Sequence, residues 1–510
     1  MGDTDWKPLL EDLEARRAAA EAMGGDERLE RHRTVGRLDA RARVAELVDP
    51  GTFVELGALV GSVQRGATPP APADGLIAGH GLIDGRPVLV GAEDFTVMGG
   101  SIGLGNSSKR QRLAQLAAQE RVPLVMLLEG AGERAQNAFE RRSRGPNDLQ
   151  ALAALSGLVP TIAVVMGASA GHGALTAPLL DFVVMVEGAA IFSAGPPLVK
   201  AATGEDVDKE ALGGTAVHTV LSGVAHNTVP DDRAALALCR HYLSYFPSNA
   251  WERPPRDPGR DTDTDTDHRT LDAILELVPA DARRPYDVIR VIDALCDATT
   301  VLEIQPGFGR AVVTALARLG GETIAVVANQ PSVKAGAIDA DAADKAARFI
   351  DVADAFHLPV VFLADNPGVL AGTAAERSGI LRHAARMFAA QARLRSPKLH
   401  VTLRKAYGFG SSLMAMNPFD RQTTTLAFPG ARLGAMPAES GADAARLEAD
   451  TRQLLAHAEL GGAYSAADTM SYDDVIDPRQ LRNALLDALR LTTRRDTAPA
   501  EPRRPHGILP

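Results

Sequence analysis

The chain of 510 residues has a net charge of −10, with 23% charged and 45% apolar residues. It can bury two or three cores, and it lacks the basic footprint of a nucleic-acid or anionic-membrane binder. Its two cysteines, Cys239 and Cys296, lack CxxC spacing, which excludes a zinc ribbon or disulfide scaffold, predicts no bound metal and fits a reducing cytoplasm. The acidic start shows no basic-then-apolar leader, and apolar runs of about eight residues fall short of the roughly 20 that span a bilayer. A soluble cytoplasmic protein is expected.

Residues 7 to 48 carry helical spacing with many Arg/Glu pairs and end at Asp49-Pro50-Gly51, which predicts an N-terminal helical arm within a segment 1–72. From about 73, strands at Val88–Val90, Val122–Leu128 and Thr161–Met166 alternate with helices over Lys109–Gln119 and near 147–157, a βαβαβ order of the α/β class. This predicts a domain over 73–253. The Pro-rich, then acidic run from Pro254 to Asp267 cannot bury apolar surface and reads as a linker, 254–269. The alternation resumes for a second domain, 270–493, with a closing helix at 478–491, and the proline-bearing residues from 494 read as a frayed tail. The two domains repeat one another at an offset of 236 residues. Gly85 falls on Gly321, Gly100 on Gly336, Lys109 on Lys345, Pro123 on Pro359 and Gly132 on Gly368. An internal duplication is the natural reading, with a site shared by unlike halves.

Each half runs a strand into a glycine-rich turn, Gly167-Ala168-Ser169-Ala170-Gly171-His172-Gly173 in the first and Tyr407-Gly408-Phe409-Gly410-Ser411 in the second. Such turns present free backbone N–H groups at a helix N-terminus and can hold an oxyanion. Two of them in equivalent places suggest two carbonyls, as acyl chemistry on a thioester requires. The same first turn matches G-x-S-x-G, which makes Ser169 a candidate nucleophile, with Asp206 and His218 or His226 as triad partners. No other acid–base dyad is evident near either turn.

Ordered motifs extend over most of the chain: Asp94-Phe95-Thr96-Val97-Met98-Gly99-Gly100-Ser101, Glu210-Ala211-Leu212-Gly213-Gly214, Ala328-Asn329-Gln330-Pro331, Asp365-Asn366-Pro367-Gly368, Arg382-His383 and Arg404-Lys405-Ala406-Tyr407-Gly408. With these, the chain resembles, from about residue 30 to about 492, the carboxyltransferase (β) subunits of biotin-dependent acyl-CoA carboxylases, the propionyl-CoA and methylcrotonyl-CoA carboxylase family. The resemblance implies two tandem crotonase-like domains (ClpP/crotonase superfamily). Acyl-CoA would lie on the N-terminal half of one subunit and biotin on the C-terminal half of another, in a dimer-built hexamer. It assigns the thioester donors to Gly171 and His172 and the biotin ureido donors to Phe409 and Gly410. The substrate would be held at Gly99, Gly100, Gly132, Ala170 and Ser412, and biotin at Asn366, Pro367, Gly368, Tyr407 and Gly408. Carboxybiotin would come from a biotin carboxylase and carrier (α) subunit, because the chain has no Met-Lys-Met biotinylation site and no ATP-binding loop of Walker spacing.

The chain departs from the family pattern at several places. His172 and Phe409 stand where the family has glycine, Ser412 where many propionyl- and acetyl-type members have an acid, and Pro437 within the usual Met-Gly stretch. Two further readings use the same resemblance: a biotin-dependent decarboxylase subunit, and a non-catalytic scaffold in a carboxylase complex.

Overall fold

The computed structural model describes residues 5–63, 70–135, 137, 147–256, 267–492, 500–504 and 507–510. It divides into two compact units, one built on Met1–Ser244 and the other on Tyr245–Arg504. Among the described residues no helix is long and apolar enough to cross a membrane.

In the first unit the helical arm is three helices, Trp6–Glu21 (α1), Asp26–Arg33 (α2) and Ala40–Leu47 (α3). The arm is tied to the body by ion pairs out of water: Arg43 Nη1 lies 2.6 Å from Glu129 and its Nε 2.9 Å from Asp232. The sheet runs in the order Val54–Glu55 (β1), Leu76–Ile83 (β2), Arg86–Glu93 (β3), Leu124–Leu128 (β4), Thr161–Val165 (β5), Phe182–Val186 (β7), Asn227–Val229 (β9). The first three strands are antiparallel and the rest parallel. A short parallel pair, Ala168–Ala170 (β6) and Ala190–Phe192 (β8), stands apart. The helices Leu104–Glu120 (α4), Asp148–Ala153 (α5) and Gly171–Leu179 (α6) complete what the site needs. Strands β4 and β5 are buried at every residue. That is why they read as unbroken apolar runs, as parallel strands covered on both faces do.

The second unit repeats this order: Leu302–Ile304 (β10), Val312–Leu319 (β11), Glu322–Asn329 (β12), Val360–Asn366 (β13), Lys398–Tyr407 (β14), Gln422–Ala427 (β15), Asp474–Val475 (β17), with Arg432–Gly434 (β16) beside β14. Its helices include Ala340–Ala355 (α7), Gly408–Leu413 (α8) and the closing Leu481–Thr492 (α9). The hairpin ahead of the parallel strands, absent from the βαβαβ expectation, turns in the first unit through Asp84 and Gly85 at φ 50° and 76° and in the second through Gly320 and Gly321 at 63° and 76°. Left-handed φ at both central positions matches the twist of a hairpin. In each unit one carboxylate accepts from both turn amides, Asp49 in the first (3.1 and 2.9 Å) and Asp297 in the second (3.1 and 2.8 Å).

The offset of 236 persists in the bonding. Ile102 N donates to Gly132 O and Arg134 N to Ile102 O, and Ile338 N and Leu370 N donate in the same way to Gly368 O and Ile338 O. Lys109 and Lys345, also at that offset, each reach two carbonyls of the preceding segment, Ala73 and Leu76 in the first unit and Gln305 and Phe308, four residues short of the offset, in the second. Burial pulls both ammonium groups down to about 8.

Of the expected linker, residues 257–266 lie outside the described residues, as do 493 at the end of the expected second domain and 494–499 and 505–506 of the expected tail. A frayed end does not hold for 500–504. Arg503 lies 3.3 Å from Asp354, and Arg504 lies 3.0 Å from both Asp351 and Asp354, all largely buried. Carboxylates already inside the unit need counter-ions, and these arginines supply them.

Two histidines of the second unit make its stability depend on pH. Burial holds His400 and His357 down to about 4, so each stays neutral in the fold and takes up its proton on unfolding. The unfolded chain then binds more protons between pH 6.5 and 4, and stability present above 6.5 is lost as pH falls through that window. Thermal unfolding across it is expected to show this loss. His400→Asn, which keeps a donor for the Met414 carbonyl that His400 Nδ1 contacts at 2.7 Å, should reduce the proton uptake by about one; an unchanged slope would remove His400 from the account.

Candidate active site

Both glycine turns open a helix in the same backbone conformation. Gly171 begins α6 and Gly408 begins α8, each at φ 54°. A side chain is strained there, so glycine is required. The residue before each, Ala170 or Tyr407, is extended and gives no side-chain cap. The first N–H groups of a helix have no partner within it, so His172 and Phe409, one step along, hold equivalent donor positions.

The substrate candidates of the first unit come together around Gly171. Ala131 N donates to Gly99 O at 2.9 Å, Ile102 N to Gly132 O at 2.8 Å, and Ala170 N to Gly130 O at 3.1 Å. Space here is tight: a Cβ on Gly132 would sit 2.8 Å from Ala170 O, and one on Gly100 2.4 Å from Glu129 O. In the second unit Asn366, Pro367 and Gly368 lie against α8. Gly368 N donates to Asn366 Oδ1 at 3.0 Å, and a Cβ on Gly410 would meet the same Oδ1 at 2.5 Å. Tyr407 donates to Glu459 Oε1 at 2.6 Å, and burial and the Glu459 carboxylate push its phenol up. Phe409 is half exposed, and the Ser412 carbonyl accepts from Asn417 at 3.0 Å. Ser412, Phe409 and Gly410 therefore share one helix, in a different unit from Gly99, Gly100, Gly132 and Ala170.

The nucleophile reading of Ser169 is overturned. Its side chain is fully buried, and among the described residues Oγ has no hydrogen-bond partner. The proposed partners are occupied elsewhere: His226 Nδ1 accepts from Val183 N at 2.9 Å, His218 lies against Ile191 O and Ser222, and Asp206 pairs with Lys200. A nucleophile elbow exposes its serine; here β6 turns that position inward.

The expectation of no dyad near the turns also fails. His172 Nε2 lies 2.7 Å from Asp148 Oδ1. Asp148 has no exposure and also receives Arg110 Nε at 2.7 Å. Arg110 continues to Glu93 at 3.0 Å and to the Thr176 hydroxyl, and Glu93 accepts from Glu129 N at 2.7 Å. Burial pushes the Asp148 carboxyl up, but the His172 and Arg110 contacts outweigh it and leave it below its usual range. With the carboxylate ionised, Nε2–H of His172 is the donor. Burial pushes Glu93 up. Sequence reading passed over Glu93, Arg110 and Asp148; the available signal was charge in segments otherwise fit for a core.

Beside this turn a cavity of about 970 Å³ reaches from Gly99 and Phe95 to Arg28, Arg31, His32 and Arg37. Its wall mixes Arg28, Arg31, His32 and Arg37 with Asp26, Glu27 and Glu129, and Phe95 adds an aromatic face; Arg31 pairs with Glu27 and Arg37 with Glu129.

The carboxyl transferase domain family matches residues 31–508. The methylmalonyl-CoA carboxyltransferase 12S subunit of Propionibacterium freudenreichii subsp. shermanii is 36% identical, over 98% of this chain and 97% of its own. A putative propionyl-CoA carboxylase beta chain of Bacillus subtilis is 35% identical, over 97% and 98%. A crystal structure of transcarboxylase 12S, a hexamer with methylmalonyl-coenzyme A and methylmalonic acid bound, superposes with a TM-score of 0.89 at 35% identity over 100% of both chains. Agreement in sequence and fold over the full length leads to one conclusion: the chain belongs to the carboxyl transferase domain family, as a carboxyltransferase of the acyl-CoA carboxylase kind.

Proposed function

We propose that the chain moves a carboxyl group between carboxybiotin, carried by a partner subunit, and a short acyl-CoA, using two backbone oxyanion holes of common origin. The observation that carries this reading is the turn built twice, with Gly171 and Gly408 at one φ inside the same hydrogen-bond frame. In it, the N–H groups of Gly171 and His172 hold the thioester oxygen, above a floor of Gly99, Gly100, Gly132 and Ala170. In the cavity of mixed charge, Arg28 meets the CoA phosphates, joined by Arg31 when it exchanges its contact with Glu27. The N–H groups of Phe409 and Gly410 hold the ureido oxygen of biotin, beside Asn366, Pro367, Gly368, Tyr407 and Gly408. The small residues there suit a flat ring, and a Cβ at Gly408 would meet Ala435 O at 2.9 Å. Ser412 contributes to the choice of acyl chain.

Carboxybiotin, when bound, would supply the carboxyl group, and the ureido nitrogen freed as that N–C bond breaks would take up the α-proton. The chain's own task is to stabilise negative charge on the two oxygens, which needs fixed donors. Assembly as a dimer-built hexamer, with the acyl turn of one subunit serving the biotin turn of another, and a cytoplasmic setting complete the proposal. The relatives named above support the methylmalonyl-CoA/propionyl-CoA pair as the first substrate to try.

The reverse half-reaction tests it. Purified chain, free biocytin and malonyl-, methylmalonyl- or 3-methylglutaconyl-CoA should give loss of the carboxyl group from one thioester. No turnover with any of them, alone or with a biotin carrier protein added, would leave the scaffold reading.

A further inference from the structure

We propose that the His172 side chain is a positioning residue: clamped by Asp148, it holds the first turn of α6 so that the Gly171 and His172 N–H groups stay aimed at one oxygen. This inference rests on the reading of those two groups as thioester donors. The turn needs such a clamp because little else restrains it. His172 lies between Gly171 and Gly173, the two most freely rotating neighbours a residue can have. Ala170 offers no side-chain cap, and its N–H bond to Gly130 O anchors only the approach to the helix.

The next fixed point along α6 is Thr176, whose hydroxyl receives Arg110. His172 and Thr176 are one turn apart on one face, and both end on the same buried group: His172 on Asp148, Thr176 on Arg110, with Asp148 and Arg110 2.7 Å apart. Arg110 comes from α4 and Asp148 opens α5, so the first two turns of α6 are fastened to two helices at once. The imidazole is itself only 28% exposed while its partner has no exposure at all. A surface histidine with an incidental contact would not be placed in this way. The Asp148 charge also lies at the positive end of α6, where the helix dipole favours it.

Donors that must meet charge as it develops lose their value when they fluctuate, and the loss falls on kcat rather than on ground-state binding. Three variants separate the parts. His172→Leu keeps the backbone N–H and loses the clamp; kcat in the biocytin half-reaction should fall about tenfold with KM for the CoA ester within about twofold. His172→Gln, whose amide N–H reaches to about where Nε2 stands, should regain most of kcat. His172→Pro removes the N–H as well and should fall far below His172→Leu. Wild-type kcat in His172→Leu would overturn the clamp, as would a His172→Gln enzyme as slow as His172→Leu. If His172→Pro matched His172→Leu, the donor reading itself would fail, an outcome distinct from either.

Discussion

A His172→Pro enzyme is expected to lose roughly 100- to 1,000-fold in kcat for carboxyl transfer relative to His172→Leu, the usual cost of removing one oxyanion donor, while keeping its fold and assembly. His172 is the second residue of α6 and has no left-handed φ, and proline is tolerated in the first turn of a helix, where its missing N–H breaks no internal bond. The substitution therefore deletes a donor without breaking the helix. Proline at either glycine would be a poorer probe. Gly171 sits at φ 54°, which proline's ring forbids, and any Cβ at Gly410 would run into Asn366. Because His172→Pro also removes the imidazole, the donor's share is read against His172→Leu. In the second turn Phe409→Pro is the matching variant, with Phe409→Leu as its control. Steady-state kinetics of the biocytin half-reaction, with sedimentation to verify assembly, would measure both pairs, and full activity in both proline variants would exclude backbone oxyanion holes.

The largest expected effect on stability is at Arg110. Its guanidinium is fully buried and is shared between Asp148 at 2.7 Å and Glu93 at 3.0 Å, neither carboxylate having any side-chain exposure. Arg110→Met fits the space but strands two buried carboxylates, and removing one partner of such a group costs about 3–5 kcal/mol. Against a total of about 5–15 kcal/mol for a native domain, that is a substantial share. The melting temperature of the first unit should drop by roughly 10 °C. Adding Glu93→Gln and Asp148→Asn to Arg110→Met should restore part of the loss, because neutral amides no longer need the cation. Calorimetry of the three proteins decides it. An Arg110→Met melt like that of the wild type would mean that both carboxylates take up protons in the fold at little cost.

The parts of this protein legible in its sequence are those set by neighbours along the chain. Strands β4 and β5 show as apolar runs because parallel strands buried on both faces have no polar side to alternate with. The glycines at 85 and 321, the helix-opening glycines at 171 and 408 and the repeat at 236 are visible because tight left-handed turns favour glycine. The family resemblance adds up such local demands and reaches the same two turns. The leading hairpin of the first sheet escaped notice because β2 mixes glycine and histidine with its apolar residues.

Ser169 and His172 show where local reading ends. The motif around Ser169 satisfies the spacing of a nucleophile elbow, yet spacing does not say which face of a short strand looks inward, and β6 buries it. His172 reads as a bulky intruder between two glycines, and its partner Asp148, 24 residues upstream, is one acid among many. The sequence by itself determined the class of fold, its doubling and the positions of two glycine turns that open helices, because backbone conformation and strand burial are imposed locally. Only the tertiary structure decided that Glu93, Arg110, Asp148 and His172 form one chain of contacts behind the first turn, buried except at the His172 ring. Low dielectric makes such partners obligatory to one another, and that constraint acts through space, between β3, α4, α5 and α6, with no periodicity along the chain to announce it.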